Sequence, residues 1–167
     1  FYANQLLLKL LARHDPHPVL FDAYAATVAA LADPSAAETT VEPALRAFEL
    51  VLLREIGLLA DLAVETASLR PVESDRRYAV LAEAGVVETS GVAEPHAGAG
   101  GVHGSTLLAL QKALDAHDIA ALRRTAATSA AELRPMLRQA LQHHLATPTL
   151  RTRQVLLASQ ALVSSGA

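Results

Sequence analysis

Apolar residues in this chain recur at three- and four-residue spacing, and the positions between the recurring runs carry residues that start or stop helices. Leu6, Leu7, Leu10 and Leu11 make one stripe. Leu20, Phe21, Tyr24, Val28 and Leu31 make a second, and Leu45, Phe48, Leu52 and Ile56 a third. Such spacing gathers the apolar side chains on one face of a helix, whereas a strand would need alternation with period two. Asp15 is an N-cap with Pro16 or Pro18 in the first turn, where the missing amide hydrogen costs nothing. Asp33-Pro34 stops that helix, and residues 33–39 form a loop. Thr39-x-x-Glu42 has the form of a capping box with Pro43 in the first turn, and Gly57 that of a C′ residue.

Helices resume at Ser105, a further N-cap, with Leu107, Leu108, Leu110 and Leu114 on one side. Asp118 opens the next, which carries Ile119 and Leu122. Ser129-x-x-Glu132 is another capping box, and Leu133, Met136, Leu137, Ala140, Leu141 and His144 share a face behind it. Pro135 is expected to kink this helix or delay its start. Thr147-Pro148 ends it, and residues 150–163 read as a last amphipathic helix.

Residues 58–104 depart from the pattern. Arg77-Tyr-Ala-Val-Leu81 and Val86-Val-Glu-Thr89 read as a hairpin joined by Ala82-Glu-Ala-Gly85. Gly91 to Gly104, rich in Gly, Ala and His, reads as a mobile loop. The predicted fold class is therefore mainly α: one helical, bundle-like domain over residues 1–167, with a small β-hairpin and a Gly-rich loop inserted at 58–104. Composition agrees. Hydrophobic residues make up 51% of the chain, mostly Ala and Leu, which lose least on entering a helix. A chain of 167 residues buries roughly two-thirds of its unfolded surface as a single domain.

Several function classes lack their residues. No apolar run approaches the roughly 18–20 residues needed to span a bilayer, so no membrane association is expected. The absence of cysteine excludes disulfides, thiolate chemistry and cysteine-based zinc sites, and fits a reducing cytoplasm. Gly98-Ala-Gly100-Gly-Val-His-Gly104 misses the phosphate-loop spacing, and no Gly-Lys-Ser/Thr follows it. His143 and His144 are adjacent and point about 100° apart on a helix. His14 and His17 flank a proline turn, and His96 and His103 lie in the loop, so no metal or other cofactor is expected. No catalytic residues are assigned: Ser105 and Ser129 read as caps, and Glu49 and Glu55 lack a partner motif, Glu49 pairing with Arg46 or Arg54.

Charge is polarised along the chain. Residues 1–101 hold seven basic and fourteen acidic side chains, whereas residues 102–167 hold seven basic and three acidic. The C-terminal excess points either to an anionic partner or to neutralisation between the two halves across the fold.

Tyr2-Ala-Asn-Gln-Leu-Leu-Leu-Lys-Leu-Leu11, Asp15-Pro-His-Pro18 and Leu45-Arg-Ala-Phe-Glu-Leu-Val-Leu-Leu53 follow one another in an order and spacing that resembles the helical C-terminal part of the bacterial RecO family. The resemblance returns at His143-His-Leu-Ala-Thr-Pro-Thr-Leu-Arg-Thr-Arg153. Gln5 stands where the family usually has an acidic residue, and Ala146 where it usually has glycine. Many relatives carry a four-cysteine zinc module in the region corresponding to 58–104, of which only the hairpin carries over to this cysteine-free chain. With no initiator methionine the chain reads as a fragment, and the resemblance implies that an oligonucleotide-binding barrel is expected before it.

The resemblance further implies a recombination mediator of the RecF pathway, cytoplasmic and associated with the bacterial nucleoid. Its expected partners are RecR, single-stranded-DNA-binding protein and single-stranded DNA, the last bound weakly without the barrel. Its expected roles are strand annealing and RecA loading. For the acidic, phenylalanine-ended tail of single-stranded-DNA-binding protein it points to Arg46, Leu50 and Leu53, with Arg123 as the second cation. Arg54, further round the helix, is expected to matter little. Contacts to the nucleic-acid backbone fall to Arg124, Arg138, Arg151 and Arg153, with Arg123 also available. A different class of function remains open: a helical ligand-binding or regulatory domain unrelated to DNA, with the helix stripes as its pocket and the Gly/His loop as its lid. The coding sequence upstream of Phe1 discriminates the two, a barrel favouring the first and a helix-turn-helix the second.

Overall fold

Every residue from Phe48 to Leu53 is buried, Glu49 included, so the helix that carries them has neighbours on all sides. The computed structural model describes residues 2–11, 16–32, 38–89 and 101–146. The central helix is α3 (Glu38–Glu55). Around it pack α2 (Pro18–Ala32), α5 (Ile119–Thr128) and α6 (Ala130–Ala146), while α1 (Tyr2–Leu10) lies beside α2 and α4 (Gly104–Asp115) against α5. The core is leucine-rich: Leu50, Leu52, Leu53, Leu62, Leu107, Leu110, Leu122, Leu133 and Leu137 have no exposed surface. The fold is thus mainly α with a small sheet, as expected.

Between α3 and α4 lie β1 (Arg77–Leu81), β2 (Gly85–Glu88) and β3 (Val102–His103), paired antiparallel in the order β2-β1-β3. The hairpin has Tyr78 opposite Glu88 and Leu81 opposite Gly85. Burial alternates along β1, with Tyr78 and Val80 turned inward, as a sheet covered on one face requires. The expected loop over 91–104 is corrected at its end. Val102–His103 is a strand and Gly104 already belongs to α4, while residues 90–100 lie outside the described set. A two-residue strand has too short a pattern to stand out in sequence; pairing to Arg77 and Tyr78 defines it.

The helix boundaries show where local rules yield to tertiary contacts. Asp118 caps α5 as expected, its carboxylate accepting from the Ala121 amide at 2.8 Å. Gly57, at φ 73°, ends the turn after α3. Ser105 is not an N-cap. In α4 the cap position is His103, which makes no side-chain capping bond; instead the Gly104 and Ser105 amides donate to the Arg76 and Ser74 carbonyls at 2.8 and 3.1 Å. This close approach is open only to glycine, because a Cβ at position 104 would overlap the Glu73 carbonyl oxygen.

Ser129 and Glu132 do not form the reciprocal box either. The Glu132 carboxylate turns to the His103 amide at 3.1 Å, tying α6 to β3, and the Ser129 hydroxyl meets Thr106 at 3.2 Å. The α3 helix already includes Glu38, and the Glu42 carboxylate accepts from Arg134. Pro135 neither delays α6, which begins at Ala130, nor ends it.

The α2 face is also corrected. Leu20, Ala23 and Thr27 point inward, with Tyr24 half-buried, and Phe21, Val28 and Leu31 are exposed. Small residues let α2 lie close to α3, where the Thr27 hydroxyl approaches the Ala44 carbonyl at 3.5 Å. The last helix expected at 150–163 lies outside the described residues.

Candidate partner and nucleic-acid interface

Arg46, Glu49 and Glu42 lie three and four residues apart on α3 and so share one side of the helix. The Arg46 guanidinium donates through Nη1 to both Glu49 carboxylate oxygens, at 2.9 and 2.7 Å. From α1 the Tyr2 hydroxyl adds a third bond, donating to Glu49 Oε1 at 2.6 Å. Burial, and then this bond to Glu49, raise the Tyr2 hydroxyl above the usual phenol range. On its outer side Arg46 lies 3.7 Å from Glu42, which Arg134 of α6 grips in a fork at 2.9 and 2.8 Å. The Arg134 hydrogen bond holds the Glu42 carboxyl below its ordinary value.

This network changes the reading of the expected peptide site. Glu49 has no exposed surface, so it depends on Arg46 to compensate its charge. An incoming carboxylate that took Arg46 would leave Glu49 buried with only the neutral Tyr2 hydroxyl as partner. Leu50 and Leu53 have no exposed surface and cannot wall a groove in this conformation. The spacing that put them beside Arg46 holds, but α3 is enclosed, so a shared face is not an open face.

Arg123 is different. It is half-buried on α5, while Arg124 of α5 and Arg138 of α6 are exposed. Among the described residues none of the three pairs with a carboxylate, nor does Lys112; Arg151 and Arg153 lie outside the described residues. Arg123 stands one helical turn after Ile119, hence on the same side of α5.

Ile119 lines a cleft that the sequence did not disclose. The half-buried Val19 and Ile119 flank it over a floor of buried Val51, Leu114 and Leu122, and Arg54, Glu55 and His117 line its polar part. Four separate elements supply these residues, so no local pattern marks them. The cleft's charges are held internally: Arg54 donates to Asp115 at 2.8 Å, and Glu55 lies 3.8 Å from His17. Arg54, expected to matter little for the peptide because it lies further round the helix than Arg46, lines this cleft. His117 adopts φ 50° in the turn between α4 and α5, an uncommon conformation for a residue with a Cβ.

No three His, Asp or Glu residues come together as a metal site among the described residues. His143 lies 3.6 Å from Glu83 and meets His144 edge to face, ring centroids 5.2 Å apart. No described helix is long and apolar enough to cross a membrane.

The chain matches the family model described as "Recombination protein O C terminal" over residues 1–154. It is similar to the DNA repair protein RecO of Verminephrobacter eiseniae, 47% identical over 162 residues, 96% of this chain and 61% of that protein. The protein of the same name from a Polaromonas species is 44% identical over 163 residues, 97% of this chain and 63% of the relative. That of Acidovorax ebreus is 45% identical over 169 residues, again 63% of the relative. The chain thus spans less than two-thirds of the length of these relatives.

Proposed function

Because this chain belongs to the RecO family, matching its C-terminal part, we propose that it is the helical partner-binding module of a DNA repair and recombination mediator. In this reading it engages single-stranded-DNA-binding protein and RecR in the cytoplasm, at the nucleoid, and so assists strand annealing and RecA loading. These are recognition tasks and require no bond chemistry from the module.

The observation that carries the reading is Arg123, a cation with no described carboxylate partner, placed one turn from the apolar cleft at Ile119. An acidic peptide with a terminal phenylalanine needs a cation for its carboxylates and an apolar slot for the ring; the cleft, about 10 Å³ as it stands, must widen by movement of the half-buried Val19 and Ile119 side chains to take the ring. Arg123 takes the role for which Arg46 was the first candidate. Arg124 and Arg138 supply weak, salt-sensitive contact to nucleic-acid phosphates.

Titration of a labelled peptide of that tail into the chain tests the reading. A guanidinium–carboxylate bond contributes about 1.5–3 kcal/mol, so Arg123→Ala should weaken binding tenfold or more. Arg70→Ala, on the exposed turn before β1, should do little. Equal losses from the two would indicate general electrostatics, and absence of binding by the folded chain in low salt would refute the reading.

A further inference from the structure

The turn that joins α4 to α5 closes on His117. The His117 amide donates to the Leu114 carbonyl at 3.1 Å and the Asp118 amide to the Ala113 carbonyl at 2.9 Å. His117 thus takes the left-handed position of a Schellman turn, at φ 50°. The same pair of bonds closes α3, where Gly57 donates to Arg54 and Leu58 to Leu53, and there the left-handed residue is glycine, at φ 73°. Glycine adopts this conformation freely, whereas a Cβ strains it. No described contact offsets that strain at His117. The residue is exposed, and among the described residues its ring makes no hydrogen bond or ion pair. What distinguishes the position is the cleft, which His117 lines together with Ile119.

We propose that His117 is a specificity-determining residue of this cleft, a second donor for the carboxylates of the acidic peptide that strengthens on protonation; the inference rests on the cleft being the peptide site. Ile119 stands between the two donors along the chain, with His117 in the turn before it and Arg123 one helical turn after it. The charged neighbours leave the role to His117. From α4 Asp115 faces it, and that carboxylate accepts from Arg54 and Gln111 at 2.8 and 2.9 Å. From α3, Arg54 is held by the same bond, and Glu55 lies 3.8 Å from His17, which precedes α2. From α5, Asp118 accepts from the Ala121 amide. Each of these groups has a partner inside the protein. A protonated imidazole donates from both ring nitrogens, and imidazoles change charge between about pH 5 and 8, so the grip on an acidic peptide tightens as pH falls through that range.

Fluorescence anisotropy of a labelled acidic peptide ending in phenylalanine, titrated with the whole chain at about pH 6 and about pH 8 and at constant ionic strength, reads the effect. Binding should be about three- to tenfold tighter at the lower pH, the difference between a neutral and a charged hydrogen bond. His117→Asn, a residue that tolerates the left-handed turn, should leave the melting temperature no lower and abolish that gain. A gain that survives in His117→Asn, or that is lost instead in His17→Gln, overturns the proposal. A native chain whose binding answers to Arg123→Ala but not to pH overturns the role of His117 and leaves the cleft as the peptide site. Absence of peptide binding by the folded chain at either pH overturns the reading of the cleft, and the proposal with it.

Discussion

Arg46 shows how one buried partner can redefine a residue. On the helical repeat it is an exposed cation over leucines; in the fold it compensates a carboxylate with no exposed surface. Arg46→Ala should therefore destabilise the protein by about 3–5 kcal/mol, the usual cost of stranding a buried charge. Replacing both partners, as Arg46→Met with Glu49→Leu, should recover most of that loss; urea unfolding of the two variants checks the difference. The pairing itself was legible, because Glu49 lies three residues from Arg46. Burial of Glu49 was not, since it depends on α1, α2, α5 and α6 closing around α3. His144 adds a pH dependence. Burial, then the neighbouring His143, hold its imidazole below the ordinary value of 6.5, so the unfolded chain binds its proton more readily. Stability should be full above pH 6.5 and decline as pH falls through that value, and His144→Gln should flatten the decline in thermal melts between neutral and mildly acid pH. An unchanged slope would place the acid sensitivity elsewhere.

At the level of elements, the described helices and the hairpin were readable from periodicity, and the starts of helices were readable only where a local residue caps them. Asp118 follows the local rule. Ser105, Ser129 and Thr39 fit the same patterns, yet their helices begin earlier or are held by other groups: the Arg76 and Ser74 carbonyls for α4, and the Glu132 link to β3 for α6. Those contacts join residues far apart in sequence, so no local pattern contains them. Gly104→Ala tests how much the docking of the 73–76 turn matters. The added methyl must displace the Glu73 carbonyl, and the expected destabilisation is about 1–3 kcal/mol, read from denaturant midpoints. A neutral outcome would mean that the turn is free to shift. On α2, Leu20 is inside as assigned, but Phe21, Val28 and Leu31 were assigned inward and the small Ala23 and Thr27 take their place. Size alone does not tell which face of a helix hydrophobic on all sides meets the core.

Across the whole molecule, charge polarity is only partly resolved by folding. Arg134 crosses to Glu42, but Lys112, Arg123, Arg124 and Arg138 meet no described carboxylate, which leaves the α5 side of the molecule able to take an anionic partner. Chelation is expected to leave the melting temperature unchanged, because the hairpin lobe is held by β-pairing and by Arg76–Glu88 and Arg77–Glu132 contacts. A fall in melting temperature on adding a chelator would contradict that. In the proposed function partner recognition belongs to α5 and its cleft, while the Arg46–Glu49 pair of α3 serves the fold. Titration of the acidic, phenylalanine-ended peptide into two variants, Arg123→Ala and the Arg46→Met/Glu49→Leu pair, tests it most directly. The first should bind at least about tenfold more weakly and the second near-natively; native binding by Arg123→Ala together with loss in the double variant would contradict the assignment to α5.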